Sequence, residues 1–129
     1  MGTMGSSVIQ TVQHDAAAGS VPAVQIRHRG VEQAARKILD VVGRAGLDGY
    51  WIHLDVDILD PSVMPAVDSP DPGGLSAAEL TGLLAVLAPR AVGAQVTVFD
   101  PDLDPDGSHA RLLTNILITG LAPLSSDRR

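Results

Sequence analysis

The stretch Trp51-Ile-His-Leu-Asp-Val-Asp-Ile-Leu-Asp-Pro61 alternates polar and apolar residues and then runs into a series of carboxylates. A period of two is that of a strand. It predicts one over residues 50–57, with Trp51, His53, Asp55 and Asp57 on one face and Ile52, Leu54, Val56 and Ile58 on the other. Neighbouring carboxylates repel each other and are costly to bury unless a cation compensates them. A strand that ends this way presents its acids to a metal or a substrate, which makes Asp55 and Asp57 the first candidates for metal ligands.

Working outward, the chain reads as strands alternating with helices. Val31, Ala35, Ile38, Val42 and Ala45 recur at three- and four-residue steps and predict a helix over residues 31–44, closed by Gly46 and Gly49. Ser76-Ala-Ala-Glu79 is a capping-box pattern ahead of a helix with Leu80, Leu83, Leu84 and Leu87 on its inner face and an end near Pro89. Val92 to Phe99 is a second strong strand. Asp106-Gly-Ser108 leads into a last helix whose apolar stripe is Leu112, Leu113, Ile116 and Leu117. Such alternation predicts an α/β fold with a parallel sheet covered by helices. Residues 1–22 are small and polar without a sustained period and read as a low-complexity, unstructured segment. Residues 23–124 form the α/β domain, with a short strand expected over 24–28, and 125–129 a polar tail.

Composition narrows the function. The 129 residues bound one domain, and 45% hydrophobic content can build a core, though Tyr50, Trp51 and Phe99 are its only aromatics. The absence of cysteine removes disulfides, thiolate zinc sites and cysteine nucleophiles. A net charge of −6 argues against a nucleic-acid partner, because a phosphate backbone needs a basic surface. No run approaches the ~20 apolar residues of a membrane span. No signal-peptide pattern precedes Arg27, so a cytoplasmic location is expected.

The acids are unevenly placed. Nine of the fifteen lie in two windows, Asp55, Asp57, Asp60, Asp68 and Asp71, then Asp100, Asp102, Asp104 and Asp106, each following a strand. Taken without those strands, the clusters have the composition of ordinary turns. With them, both sit at the carboxyl ends of parallel strands, where open α/β sheets bind ligands. The connection from Ile58 to Leu75 is long, and it contains Pro61, Pro65, Pro70, Pro72, Gly73 and Gly74. A long connection stiffened by four prolines reads as the wall of an active site.

These residues carry a resemblance. Leu54-Asp-Val-Asp57, Asp60-Pro61, Pro65-Ala66 and Ser69-Pro-Asp-Pro-Gly-Gly74 resemble the third signature of the ureohydrolase (arginase/agmatinase/formiminoglutamase) family, with His53 where the family has a hydroxyl residue. The likeness runs from about Val31 to Leu121 and is to the C-terminal portion of such a protein. It implies a partial three-layer αβα sandwich resembling the C-terminal half of the arginase fold. It also implies hydrolysis of a C–N bond in a guanidino or amidino compound at two manganese ions bridged by hydroxide. By motif position Asp55 would bridge both metals and Asp57 would bind one. Ser69 matches a threonine near the substrate head group, Asp60 caps or orients the loop, and Gly73 and Gly74 complete it.

The departures matter as much. The family's other four ligands come from two upstream motifs that do not appear here, and His14-Asp15 is the only adjacent His/Asp pair. Val98 stands where the family has a guanidinium-binding glutamate, three residues before Pro101, which argues against arginine as substrate. The chain is therefore expected to be a fragment or truncated form, inactive alone and binding manganese weakly. Alternatively it is a non-catalytic remnant or pseudoenzyme subunit. A half-sheet leaves a strand edge and a helix face uncovered, so a homo-oligomer or a partner chain is expected. A third reading is a calcium-binding module, because Asp102-Leu-Asp-Pro-Asp-Gly107 matches half of a calcium loop; its twelfth position, however, is Leu113 instead of glutamate. His53 reads as a hydrogen-bonded neighbour of the ligands or as a third ligand, Trp51 as a packing residue, and His109 as solvent-exposed.

Overall fold

The computed structural model describes residues 8–13, 16–22, 30–44, 49–67 and 73–126. Strand β1 (Val8–Gln13) pairs antiparallel with β2 (Ala16–Pro22), with a register shift between Thr11 and Val12. This differs from the unstructured reading of residues 1–22. Val8, Ile9, Thr11 and Val12 are β-branched and favour extended backbone, whereas the small residues of β2 show no alternation to detect. The strand expected over residues 24–28 lies outside the described residues.

Helix α1 (Val31–Arg44) buries Ala34, Ala35 and Ile38 and leaves Glu32 and Arg36 paired across one exposed turn. Strand β3 (Tyr50–Asp55) follows, then a 3-10 turn over Val56–Ile58. The strand is thus two residues shorter than its sequence pattern predicts. Val56 and Ile58 are both buried by the turn, so the apolar positions reach the core without extended backbone. Helix α2 (Ala77–Leu87) begins with the predicted capping box: Glu79 N–H donates to Ser76 Oγ (3.1 Å), and Ser76 N–H donates to Glu79 Oε1 (2.8 Å). Leu80, Leu83, Leu84 and Leu87 are its buried residues, as the heptad-like spacing predicts. A 3-10 turn at Ala88–Arg90, with Pro89 inside it, ends the helix.

Strand β4 (Ala91–Thr97) lies parallel to β3, joined to it through α2, with Ile52 opposite Ala94 and Asp55 opposite Thr97. It stops two residues before the predicted Phe99 because Val98 turns the chain at φ 66°. Helix α3 (Ser108–Gly120) packs on α2, and so does α1. The core is aliphatic. Leu54, Val56, Ile58, Leu59, Met64, Val67 and Leu75 from the sheet and its long connection meet Leu80, Leu83 and Leu84 of α2 and Leu113 and Ile116 of α3. Strands alternating with helices around a parallel pair make this an α/β fold of the expected kind. No helix among the described residues is long and apolar enough to cross a membrane.

Candidate metal centre

The carboxyl ends of β3 and β4 meet at Asp55 and Thr97. Thr97 Oγ1 donates to Asp55 Oδ1 (2.5 Å), and His53 Nε2 lies 3.1 Å from that oxygen and 3.2 Å from Thr97 Oγ1. The trio sits on the face that β3 leaves uncovered, and the Asp55 side chain is 54% exposed. Trp51, read from sequence as a packing residue, shares this face and is 57% exposed. Its ring lies against Gly93, where any Cβ would collide with it, and its Nε1 donates to Gln95 Oε1 (3.0 Å). Asp57 is placed differently from the sequence expectation. The 3-10 turn takes it off the strand, so it follows Asp55 around the turn and does not extend the face of His53 and Asp55.

The connection after β3 is tied at three levels. Its neck closes where Asp60 N–H donates to Leu75 O (2.9 Å) and Leu75 N–H to Ile58 O (2.8 Å). Gly74 fills that neck: a Cβ there would lie 2.5 Å from Ile58 O and 2.6 Å from Asp60 N. Above the neck the Asp60 carboxylate accepts from Ser62 N–H (3.0 Å), Ser62 Oγ (2.5 Å) and Gly73 N–H (3.0 Å), while Gly73 turns at φ 91°. Farther along, Val67 bridges Phe99, and Asp100 N–H donates to Ala66 O (2.8 Å), which fastens the connection to the end of β4. Ser69, the head-group candidate, lies outside the described residues, as does the His14-Asp15 pair.

The bonds from the Ser62 hydroxyl, the Ser62 N–H and Gly73 N–H hold the Asp60 carboxyl below its usual range, against a smaller upward push from burial. A depressed folded pKa stabilises the fold fully above the unfolded carboxylate value of about 4, and the benefit is lost as pH falls through the folded value. Asp60→Asn should therefore lower the melting temperature near neutral pH and approach the wild type below about pH 4. Melts across that range decide it, and an offset independent of pH would contradict the role.

The second acidic window is occupied by its own backbone. Asp100 accepts from Asp102 N–H (3.0 Å), and Asp106 accepts from Ser108 N–H (3.0 Å). Asp104, its side chain only 2% exposed, accepts from His109 N–H (3.0 Å) and Ala110 N–H (2.9 Å) at the start of α3. Burial pushes the Asp104 carboxyl up, but these bonds and the His109 ring outweigh it and hold its pKa low. These are the bonds of turns and a helix cap, which is the ordinary use of such a sequence. They commit to backbone donors Asp104 and Asp106, two of the carboxylates that a calcium loop would use. His109 is not the free surface residue the sequence predicts: it is partly buried, with Nδ1 3.0 Å from Asp104 Oδ1.

Sequence reasoning missed Thr97 and the Asp104–His109 pair. Thr97 had a signal, since Gln95 and Thr97 are polar at a spacing of two within an apolar strand and mirror His53 and Asp55 across the parallel register. The Asp104–His109 pair had none, because it depends on how the turn folds back on the helix.

As donors, exposed hard carboxylate oxygens at a strand end suit manganese or magnesium. Among the described residues no three His, Cys, Asp or Glu side chains come together to hold an ion. Asp55 offers an exposed carboxylate at the strand end, and the described residues do not make a complete metal site.

A family model described as "Arginase family" matches residues 6–122. This chain belongs to the arginase family. Among the relatives of this family member, N(1)-aminopropylagmatine ureohydrolase of Thermus thermophilus is 37% identical over 99 residues, covering 75% of this chain and 31% of that protein. Mitochondrial arginase 1 of Arabidopsis thaliana is 38% identical over 73 residues, covering 56% of this chain and 21% of its own length. The solved proclavaminate amidino hydrolase of Streptomyces clavuligerus superposes with a TM-score of 0.71 at 27% identity, over 84% of this chain and 36% of that one. The chain therefore spans between about a fifth and a third of the curated relatives it matches.

Proposed function

We propose that this arginase-family chain forms one wall of a manganese-dependent site that hydrolyses a C–N bond of a guanidino or amidino compound. In this reading it is part of such an enzyme and is inactive by itself. The observation that carries the proposal is the exposed Asp55 at the carboxyl end of a parallel strand pair, with Asp57 inside the 3-10 turn that follows and the tied connection after it. Asp55 and Asp57 would hold the metal. A metal bound there would supply hydroxide at neutral pH.

The chain's own residues do the positioning. Thr97 and His53 fix the Asp55 carboxylate, and Asp60 and Gly74 fix the backbone that follows Asp57. Val98, 39% exposed at the mouth of β4, offers no charge to a guanidinium, which supports a substrate other than arginine. The second reading, a non-catalytic subunit that needs a partner chain, is favoured by the absence of a third ligand among the described residues.

A chimera tests the first reading. Residues 49–124 would replace the matching part of the Thermus N(1)-aminopropylagmatine ureohydrolase, and product release would be followed over a panel of guanidino and amidino compounds. The proposal expects manganese-dependent hydrolysis that falls at least about a hundredfold on Asp55→Ala. A folded, manganese-loaded chimera without activity, or one indifferent to Asp55→Ala, would favour the non-catalytic subunit.

A further inference from the structure

Strand β4 has β3 on one side and no strand on the other among the described residues. Sheets usually blunt such an edge with charge or proline, yet Ala91–Thr97 contains neither. The chain end covers only its start, where Ser125 N–H donates to Ala88 O (3.0 Å) and Ser125 Oγ to Ala91 O (2.6 Å). That leaves residues 93–97, with the exposed Gln95 at their middle. Its amide is held in one orientation. Trp51 Nε1 can only donate, so Gln95 Oε1 accepts (3.0 Å) and the Nε2 hydrogens are left for another acceptor.

We propose that this chain forms a twofold dimer in which β4 pairs antiparallel with β4 of a second copy, centred on Gln95. The edge is complementary to itself in that register. The two Gln95 side chains stand directly opposite, where each Nε2–H meets the other's Oε1. Val92 and Val98, 47% and 39% exposed, come level with the partner's Val98 and Val92. Arg90, just before the strand, comes to the end where the partner carries Asp100. Charge selects this arrangement. At a net charge of −6 two copies repel over most of their surface, so they meet best along a neutral strand with a cation at one end and an anion at the other. A parallel arrangement would set Arg90 against Arg90 and Asp100 against Asp100. The dimer does not depend on the metal reading of Asp55.

The test is sedimentation velocity of the full chain over a range of concentrations, without added metal. Wild type, Gln95→Lys, Gln95→Glu and an equal mixture of the two variants would be compared, each checked for an unchanged far-ultraviolet spectrum. Wild type is expected to sediment as a dimer in reversible equilibrium with monomer. In either charged variant the twofold axis sets like charges opposite each other, and dimerisation should weaken at least about tenfold. The mixture should regain the dimer, because opposite charges then face each other. The chain has no cysteine, so Gln95→Cys reads the register alone: oxidation should link two copies through that residue. A wild type that stays monomeric at every concentration, or forms only aggregate, overturns the proposal. So does association that both charged variants keep, which would place the contact away from β4. Weakening that the mixture does not reverse overturns the register centred on Gln95.

Discussion

Gly74→Ala should destabilise the chain by about 3 kcal/mol, the upper end for forcing an extra carbon into a packed site. The reason is local. A Cβ at residue 74 would sit 2.5 Å from Ile58 O and 2.6 Å from both Asp60 N and Leu59 C, all backbone atoms that no rotamer change can move. These atoms belong to the neck closed by the Asp60–Leu75 and Leu75–Ile58 hydrogen bonds, so relief of the clash costs those bonds as well. The adjacent Gly73 provides the control. It needs a positive φ, but nothing lies within 4 Å of its Cβ position, so Gly73→Ala should cost only the backbone penalty of about 1 kcal/mol. Thermal melts of the two variants should differ by several degrees, the Gly74 variant being the less stable. Equal melting temperatures would mean that the neck is open and that the connection does not support the carboxylates as described.

The neck also shows why the fold was largely legible in the sequence while the site was only partly so. Period-two and period-3.6 patterns located β3, β4 and the three helices of the described residues, and the capping box at Ser76 marked the start of α2 to the residue. Those signals are local, because each reports which side of one element faces the core. The ends of both strands were misplaced by two residues for a different reason. At Val56–Ile58 and at Val98 the chain leaves extended backbone while the hydrophobic pattern continues, so periodicity carries no mark of the turn. That same turn moves Asp57 off the face of Asp55, a placement that alternation could not foresee. The contacts of the site are long-range. Thr97 meets Asp55 through the parallel register, and Gly73 meets Asp60 across thirteen residues of chain. Only the residue types, carboxylates at a strand end and paired glycines before a helix, were readable in advance.

The largest effect expected is on the metal. Asp55 is the exposed carboxylate at the strand end, and its neighbours Thr97 and His53 act on it, so removing it removes the group around which the site is arranged. Asp57 alone, on a turn between two buried residues, offers a single carboxylate. One carboxylate leaves nearly the whole coordination sphere of a divalent ion to water. Asp55→Ala should therefore lower manganese affinity by at least about a hundredfold, more than loss of a residue that merely orients a ligand. The substitution removes no buried side chain, so the fold should survive it. The direct measurement is manganese bound at equilibrium dialysis to folded wild-type chain and to folded Asp55→Ala. Manganese retained by the wild type and lost from the variant is the expected result. Equal occupancy in the two, whether substantial or negligible, would contradict the assignment of Asp55 as a metal ligand.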